Sequence, residues 1–191
     1  MKRRVVVTGI GALTPIGNNV NDTWKGILNH QCGIDLIQSF DTSNMKVKVA
    51  GELKNFEATE YLDKKDVRKM DKFIQYGLIA AKEAIKDSKL EIDSINHDRF
   101  GVVVSSGIGG LGSIEENHQR GLKKGFDRVS PYFIPMTIVN LAAGQIAIAF
   151  KAQGLATCPV TACAGGTNAI GDAFRNCLLY TSPSPRDLST S

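Results

Sequence analysis

The chain has 191 residues, of which 42% are hydrophobic and 22% are charged, and its formal net charge is +4. These are ordinary values for a globular protein, and the length suits one domain or one large half of a domain. Lysine and arginine alternate with aspartate and glutamate through most of the sequence. The mild positive charge therefore argues against nucleic acid as a partner and favours a local basic patch for an acidic protein.

The N-terminus lacks the pattern of an export signal. Basic residues at Met1–Arg4 precede an apolar run, but that run stops at Gly9 and is broken again at Gly11 and Pro15. A secretory signal needs a longer apolar stretch followed by a small-residue cleavage site. No stretch of the sequence approaches the length of a membrane span, so we expect a soluble cytoplasmic protein.

The first sixty residues predict two strands and a short helix. Arg4–Ile10 is rich in β-branched residues and predicts a buried strand. A loop with glycine and proline follows, and then a short helix that ends at Leu28. Residues 31–60 are irregular apart from a possible strand at Val47–Ala50.

A long amphipathic helix is the clearest secondary-structure prediction. From about Lys65 to Ser88 the apolar residues recur with a period near 3.6, whereas lysine and aspartate occupy the opposite face. The apolar positions are Val67, Met70, Phe73, Ile74, Leu78, Ala81 and Ile85. The helix begins with a cluster of cations, which suits either a solvated face or a docking patch for an acidic carrier protein. These cations are Lys64, Lys65, Arg68 and Lys69.

A second strand and a glycine-rich loop follow this helix. Phe100–Ser105 predicts a buried strand that runs into Ser105–Leu111, where glycine occupies positions 107, 109 and 110. The loop lacks the lysine and the glycine spacing of phosphate-binding motifs, so we expect a tight turn that permits close backbone packing. The same expectation holds for Gly9–Gly11. Ser113–Lys123 predicts a helix with two glutamates in its first turn, where the helix dipole favours acidic residues.

The last three predicted elements surround a cysteine. Thr137–Ala152 is an almost continuous apolar helix that ends before Gly154, and its lack of a polar face predicts burial on all sides. Ala156–Thr161 predicts a short strand, and Gly165–Arg175 predicts another helix. Strands and helices thus alternate along the chain, which indicates an α/β fold with a mostly parallel sheet.

The sequence changes character after Arg175. Pro183 and Pro185 lie among several serines, a composition that favours a linker or foreign sequence over a helix or a core strand. We therefore divide the chain into residues 1–175, which form the folded part, and residues 176–191. For the second segment we expect disorder or an artefactual tail rather than a native end.

Cys163 is the main candidate for a chemical role. It lies in Val160–Gly171, where a predicted buried strand turns into a helix. Free backbone N–H groups and the positive end of the helix dipole favour a thiolate there. The small residues around the thiol leave room for a bulky thioester, so the pattern suits a nucleophile that accepts an acyl group. A buried structural cysteine at a strand end fits the same residues, and they leave both interpretations open.

The other cysteines and the histidines carry weaker signals. No two of the four cysteines form a CxxC motif, so we expect thiols rather than a disulfide framework. Cys158 is expected in the core, and we assign no chemical role to Cys32 or Cys177. The histidines have no spacing that supports a zinc site; they are His30, His97 and His118.

Five segments of the sequence stand in register with one family. They are VVVTGIGALTPIG at 5–17, RKMDKFIQYG at 68–77, SSGIGGLGSIEENH at 105–118, SPYFIPMTIVNLAAGQ at 130–145 and TACAGGTNAIGDAFR at 161–175. Together they resemble the condensing enzymes of the β-ketoacyl-acyl-carrier-protein synthase II type. The resemblance is almost collinear from residue 1 to about residue 175, and it identifies Cys163 with the family's nucleophile.

The resemblance implies a thiolase-like fold, which the family builds from two similar α/β halves layered α-β-α-β-α. This chain supplies the N-terminal half. The resemblance also implies fatty acid elongation. The acyl chain passes from its carrier protein to Cys163, malonyl-carrier protein loses CO2, and the resulting carbanion attacks the thioester. Family members are homodimers and need neither a metal nor an organic cofactor, because the phosphopantetheine arrives on the carrier protein.

Further roles carry over by position. Ile108 matches a residue that lines and gates the acyl pocket, and Phe133 matches a pocket residue near the dimer interface. The positions that receive the acidic carrier protein correspond to Lys65, Arg68, Lys69 and Arg128. The family's two catalytic histidines, its lysine and its second oxyanion N–H belong to the C-terminal half, and no segment here matches their motifs. We therefore expect this chain alone to be too short to catalyse condensation.

Two alternatives remain beside this hypothesis. Among enzymes, a polyketide-type ketosynthase is the nearest; a chain-length factor lacks the active-site cysteine, and a thiolase fits the SGIGG and SPYFIP segments less well. Alternatively, the chain is a non-catalytic fragment that binds a carrier protein or dimerises. Stable, monodisperse protein would favour that alternative. Aggregation would disfavour it, because half of a sheet-and-helix sandwich leaves apolar surface uncovered.

Overall fold

Helices dominate the fold, which is known from a computed structural model that describes residues 4–179. The helices of the described residues are α1 Val20–Leu28, α2 Lys64–Val67, α3 Lys72–Ser88, α4 Leu111–Lys124, α5 Phe133–Thr137, α6 Leu141–Ala149 and α7 Gly165–Leu179. The strands are β1 Asp35–Leu36, β2 Val49–Ala50, β3 Val102–Val103 and β4 Ala156–Thr157. Single turns of 3-10 helix form at Ala58–Glu60, Ile92–Ser94, His97–Arg99, Phe126–Arg128 and Ala162–Ala164.

The strands form two pairs of opposite kind. β1 and β2 are antiparallel, with Asp35 opposite Ala50. β3 and β4 are parallel, with Val102 opposite Ala156. A parallel pair needs a long crossover connection, and α4, α5 and α6 supply it here. The parallel pair therefore has the α/β arrangement that the sequence predicts for the strand before Cys163.

The chain divides into two compact units. The first comprises the described parts of Met1–Val7, Lys69–Ile74 and Glu91–Ser191, and the second comprises Thr8–Arg68 and Gln75–Leu90. Buried apolar residues of the first unit are Met70, Ile74, Val102, Ala142, Ala143, Ile146 and Ala169. Those of the second unit are Ala58, Leu62, Leu78 and Ile79.

The predicted amphipathic helix is confirmed, with a break near its start. Ile74 is fully buried and Leu78 is buried, as the apolar period requires. However, α2 ends at Val67 and α3 begins only after Asp71. Asp71 occupies the N-cap position of α3, where its Oδ1 accepts a hydrogen bond from the N–H of Phe73 at 3.3 Å. A capping aspartate starts a new helix although the apolar pattern runs on through it.

The prediction of a buried strand at Arg4–Ile10 is wrong. The described residues of this segment form no strand, and the side chains of Val6 and Val7 are 61% and 80% exposed. The N–H of Ile10 donates instead to Oδ2 of Asp87 at 2.9 Å. β-branched residues form a strand only where a neighbouring strand completes the hydrogen-bond ladder, and local sequence does not reveal whether one is present.

The apolar helix predicted at Thr137–Ala152 is shorter and more exposed than expected. α5 ends where that prediction begins, and α6 stops three residues before the predicted end. Lys151, with φ 56°, takes the left-handed conformation just after α6, so the helix ends before Gly154 is reached. Ile148 is 73% exposed, and the predicted burial on all sides is therefore wrong. An apolar composition favours burial but does not supply the surface that covers the helix.

The helix predicted at Ser113–Lys123 is present as α4, but its start is displaced. α4 begins two residues earlier than predicted, so Glu115 and Glu116 lie beyond the first turn, which carries no acidic residue. Glu116 pairs with Arg120 one turn later, with 2.5 Å between the charged atoms. The predicted interaction of these glutamates with the helix dipole is therefore wrong.

The proposed boundary at residue 175 stays a prediction. α7 continues through residues 176–179, four residues beyond the predicted end of that helix. The remainder of the predicted tail, residues 180–191, lies outside the described residues.

Candidate active site

Cys163 lies at the turn from β4 into α7. Residues 158–161 lead from the strand into the 3-10 turn Ala162–Ala164, and α7 begins at the next residue, Gly165. The side chain of Cys163 is exposed and forms no disulfide. The strand-to-helix turn is the one that the sequence predicts. The sequence also allowed Cys163 to be a buried structural cysteine, and its exposure excludes that interpretation.

The residue before Cys163 has a strained backbone. Ala162 has φ 47°, in the left-handed region. A residue with a Cβ atom adopts this conformation at a cost of about 1–2 kcal/mol, because the Cβ crowds the neighbouring backbone. Such strain persists only where the surrounding structure enforces it, and it concentrates at functional sites. The conformation of Ala162 therefore marks this turn as a candidate site.

Gly165 brings the start of α7 against Ser105, two residues beyond β3. It is buried, and a Cβ atom at this position would collide with Oγ of Ser105 and lie 3.0 Å from its Cβ. A side chain at position 165 would therefore require Ser105 to move. β3 and β4 are parallel neighbours, so the cysteine turn stands at the carboxyl end of one strand and beside the carboxyl end of the other. Ligands of α/β folds bind at this edge of the sheet.

Two backbone N–H groups at the turn remain available. Within residues 4–179, the N–H groups of Ala162 and Cys163 have no protein acceptor. The N–H of Ala164 donates to the carbonyl of Thr161 at 3.0 Å, and that of Gly165 donates to the carbonyl of Ala162. Unpaired N–H groups beside the N-terminus of a helix attract negative charge. The arrangement suits charge that develops on the sulfur or on a bound thioester oxygen.

The glycine-rich loop after β3 packs its backbone against the end of α5. The N–H of Gly110 donates to the carbonyl of Thr137 at 3.1 Å. Gly109 has φ 81°, and a Cβ atom on it would collide with the same carbonyl oxygen. A Cβ atom on Gly9 or Gly11 would likewise collide with a backbone carbonyl oxygen of α3. The close backbone packing that the sequence predicts for both glycine segments is therefore confirmed.

The two predicted pocket residues lie in the packed loop and at the start of α5. Ile108 belongs to the loop itself and is 67% exposed. Phe133 is the first residue of α5 and is half-buried. α5 packs against both α4 and α6. The roles of Ile108 and Phe133 in an acyl pocket stay predictions.

The cations predicted to receive a carrier protein are all exposed. Lys65 and Arg68 belong to the second unit, whereas Lys69 and Arg128 belong to the first. Nζ of Lys69 lies 5.9 Å from the ring centroid of Tyr132, which is a cation–π contact. Within the first unit, a predicted docking residue thus touches the neighbour of Phe133.

Sequence patterns missed a polar network in the first unit. Oδ2 of Asp71 accepts hydrogen bonds from Oγ of Ser113 at 2.6 Å and from its N–H at 3.1 Å. The buried side chain of Asn117 donates to the carbonyl of Ser113 at 2.8 Å and accepts from the N–H of Ser130 at 2.9 Å. These residues come from three separate segments, so no local period connects them. Asp71 lies inside the helix predicted from about Lys65 to Ser88, so the only local signal was that aspartate favours the N-cap position of a helix.

The other three cysteines differ from Cys163 in their surroundings. Cys158 is half-buried just beyond β4 rather than in the core as predicted, and Cys32 and Cys177 are exposed. Among residues 4–179, no group of three or more His, Cys, Asp or Glu side chains could hold a metal ion. In the same part of the chain, no helix is long and apolar enough to cross a bilayer.

Known proteins are similar to this chain in sequence over most of its length. Residues 2–180 match the family model of the β-ketoacyl synthase N-terminal domain. The 3-oxoacyl-[acyl-carrier-protein] synthase 2 of Staphylococcus aureus strain COL is 50% identical over 173 residues, which cover 91% of this chain and 42% of that protein. The protein of the same name from Synechocystis sp. is 48% identical over 174 residues, with coverages of 91% and 42%. The chain thus spans about two fifths of the length of the curated relatives it matches.

Solved ketosynthase structures share the fold. The ishigamide ketosynthase/chain length factor superposes with a TM-score of 0.83 at 25% identity, covering 93% of this chain and 45% of that one. The ketosynthase of AntDE:AntF, a complex with its type II PKS acyl-carrier protein, gives 0.74 at 27% identity, with coverages of 93% and 49%. A β-ketoacyl synthase from Burkholderia phymatum STM815 gives 0.75 at 23% identity, with coverages of 92% and 43%. The predicted thiolase-like α/β fold is therefore confirmed.

Proposed function

The chain belongs to the β-ketoacyl synthase family, and we propose that it serves fatty acid chain elongation by accepting an acyl group on Cys163. One observation carries the proposal: an exposed cysteine stands at the start of α7, beside two N–H groups that have no acceptor within residues 4–179. Relatives named 3-oxoacyl-[acyl-carrier-protein] synthase 2 reach 50% identity, whereas the polyketide ketosynthase of AntDE:AntF reaches 27%. This difference favours fatty acid elongation over the polyketide alternative.

In the proposed first step, the thiolate of Cys163 attacks the carbonyl carbon of an acyl thioester on acyl-carrier protein. A carbon–sulfur bond forms, and the carbonyl electron pair moves onto oxygen. The unpaired N–H groups of Ala162 and Cys163 are available to donate to that oxyanion. When the carbonyl forms again, the bond to the carrier's sulfur breaks and that sulfur takes up a proton. The acyl group then remains on Cys163 as a thioester.

In the proposed second step, malonyl-carrier protein loses CO2 and its α-carbon attacks the thioester carbonyl of acylated Cys163. The sulfur of Cys163 leaves, and a lengthened β-ketoacyl chain remains on the carrier protein. The resemblance assigns the assisting histidines and lysine to a part of the family sequence that this chain does not match. We therefore assign acyl transfer to this chain and condensation to the full-length family enzyme. Neither proposed step uses a metal or an organic cofactor.

Acyl-carrier protein, loaded with acyl or malonyl groups, is the proposed partner. Exposed cations suit the acidic surface of such a protein, both for docking and for steering its approach. The assigned residues are Lys65, Arg68, Lys69 and Arg128. Ile108 and Phe133 are assigned to the acyl pocket. We further propose that the enzyme is a cytoplasmic homodimer, as the family resemblance implies.

Intact-protein mass spectrometry after incubation with palmitoyl-carrier protein tests the proposal. We expect a mass increase equal to one palmitoyl group, absent from Cys163→Ala and retained in the matched control Cys158→Ala. Hydroxylamine should remove the adduct, because it cleaves thioesters. Binding of the carrier protein without an adduct would support the non-catalytic alternative. Absence of both binding and adduct on folded protein would refute the proposal.

A further inference from the structure

A single carboxylate of the first unit caps the starts of two helices. Asp71 directly precedes α3, and its Oδ1 accepts the N–H of Phe73 at 3.3 Å. Its Oδ2 accepts the N–H and the hydroxyl of Ser113, the third residue of α4, at 3.1 and 2.6 Å. The N–H groups of a first helical turn have no partner within their own helix, and both helix dipoles favour a negative charge there. Asp71 therefore fixes the start of α4 to the start of α3.

The start of α4 lacks a local cap. Its N-cap residue is Gly110, which has no side chain to accept a hydrogen bond. A Cβ atom on Gly110 would collide with the carbonyl of Met136 and lie 3.0 Å from Oδ2 of Asp71. Glycine thus lets a carboxylate from a distant segment occupy the place where a serine or aspartate ordinarily caps a helix.

The loop that Asp71 anchors carries Ile108. This loop begins at Ser105, two residues after β3 ends, and enters α4 just after Gly110. At its first end, Ser105 contacts Gly165, which is two residues from Cys163. At its second end, the loop is held by the hydrogen bond from Gly110 to the carbonyl of Thr137 and continues into α4, whose start Asp71 holds through Ser113. Along the chain, the exposed residue Ile108 therefore lies between Ser105, which contacts the cysteine turn, and Ser113, which contacts Asp71.

The anchor lies in the segment that is proposed to meet the carrier protein. Lys69 is two residues before Asp71, and its Nζ lies 5.9 Å from the ring centroid of Tyr132. Tyr132 is the neighbour of Phe133 in the chain. Lys69 therefore contacts the neighbour of Phe133, and Asp71 contacts the start of α4, directly after the loop that carries Ile108.

We propose that Asp71 is a positioning residue that links the carrier-docking segment to the loop carrying Ile108 and thereby sets the access of long acyl chains to Cys163. The inference rests on the proposed function and adds a specificity determinant to it. Asp71 acts through Ser113 and the loop, and it has no contact with the acyl group in the proposal.

Amide hydrogen exchange of the 191-residue chain tests the anchor without relying on acyl transfer. We expect Asp71→Ala to speed exchange in the peptide spanning residues 106–114 about tenfold, as for the loss of an N-cap interaction. Asp71→Asn, which keeps the size but not the charge, should give a smaller increase. The matched control is Asp63→Asn, because Asp63 precedes α2 without forming a side-chain cap. An unchanged peptide, or a uniform increase across the chain, would overturn the proposal.

Acylation rates separate positioning from a purely structural role. With saturating carrier protein, Asp71→Asn should slow acylation of Cys163 by palmitoyl-carrier protein several-fold and leave that by butyryl-carrier protein nearly unchanged. The carrier concentration at half-maximal rate should stay the same, and Asp71→Glu should restore part of the palmitoyl rate. Equal losses for both acyl groups would overturn the proposal. If the unsubstituted chain forms no Cys163 adduct, the proposed function fails, whereas hydrogen exchange still decides whether Asp71 anchors the loop.

Discussion

The strained backbone of the cysteine turn is at Ala162, the residue before the cysteine. Ala162 takes the left-handed conformation, whereas Cys163 does not have a positive φ. The small side chain at position 162 limits the steric penalty, and the turn leaves the next side chain exposed. The sequence signals only the presence of small residues here, so the strain itself could not be predicted from it.

Replacing Ala162 with glycine should stabilise the folded chain. Glycine adopts φ 47° without a Cβ clash, and the gain, less the extra entropy of glycine in the unfolded chain, is about 0.5–1 kcal/mol. Urea denaturation would measure the change in the free energy of unfolding. The matched control is Ala164→Gly, at a neighbouring position without a positive φ, which should destabilise the chain. Equal destabilisation by both substitutions would contradict the strain argument.

Lys151 forms an ion pair with Asp93. A hydrogen bond from its Nζ at 2.8 Å, together with its charge, holds the pKa of the Asp93 carboxyl below its usual value. A lowered folded-state pKa contributes stability above the unfolded-state pKa, and this contribution is lost as the pH falls through the folded-state value. Both side chains are exposed, so solvent screening keeps the contribution small.

Lys151→Asn should therefore raise the pKa of Asp93 toward its usual value while tolerating the left-handed backbone at position 151. Titration of the carboxyl carbon by NMR would measure this shift. Asp41 serves as the internal control, because hydrogen bonds from Ser43 lower its pKa and should remain intact. An Asp93 pKa that does not respond would show that the ion pair does not persist in solution.

At the scale of elements, two helices end in the same way without glycine. After α1, the N–H of His30 bonds to the carbonyl of Ile27 at 3.1 Å and the N–H of Gln31 bonds to that of Gly26 at 2.9 Å. This pair of bonds defines a Schellman motif, with His30 in the left-handed position at φ 52°. Lys151 takes the equivalent position after α6. Because neither is a glycine, the sequence gives no clear signal for these helix ends.

His30→Gly should raise the free energy of unfolding by about 1 kcal/mol, because glycine occupies the left-handed position of a Schellman motif without steric cost. Thermal and urea denaturation would measure it. His118→Gly, in the middle of α4, is the matched control and should lower stability by about 1 kcal/mol. A loss of stability in His30→Gly would mean that α1 does not end in this conformation.

Local patterns predicted some elements well and others poorly, for a physical reason. The buried face of α3, the packed glycine loop and the cysteine turn each have a signal in residues close together in sequence, even where the packing partner is distant. The start of α4 depends on Asp71 and Ser113, which are 42 residues apart in the chain. The break before α3 falls at the same aspartate, but the apolar period runs through it and hides the break. The segment Arg4–Ile10 has the composition of a strand, but a strand also needs a neighbour that composition cannot reveal.

At the scale of the whole molecule, many apolar residues are not buried. Large apolar side chains are exposed in both units; they include Val7, Ile148 and Ile170 in the first and Leu36, Phe40 and Val47 in the second. Monomeric soluble proteins rarely expose large continuous apolar patches. The chain also spans about two fifths of the length of its curated relatives. Predictions that treated apolar sequence as buried sequence therefore failed in the segments where this exposed surface lies.

We expect the 191-residue chain to self-associate through its exposed apolar side chains, since association removes them from water. Sedimentation velocity over a range of concentrations would show a rising average mass. Ile148→Lys should reduce it, because a charge resists burial at a contact. Gln119→Lys adds the same charge at an exposed polar position of α4 and should change the association little, which separates loss of apolar contact from general charge repulsion. A concentration-independent monomer in the unsubstituted chain would contradict the prediction and favour an independently stable, carrier-binding fragment instead.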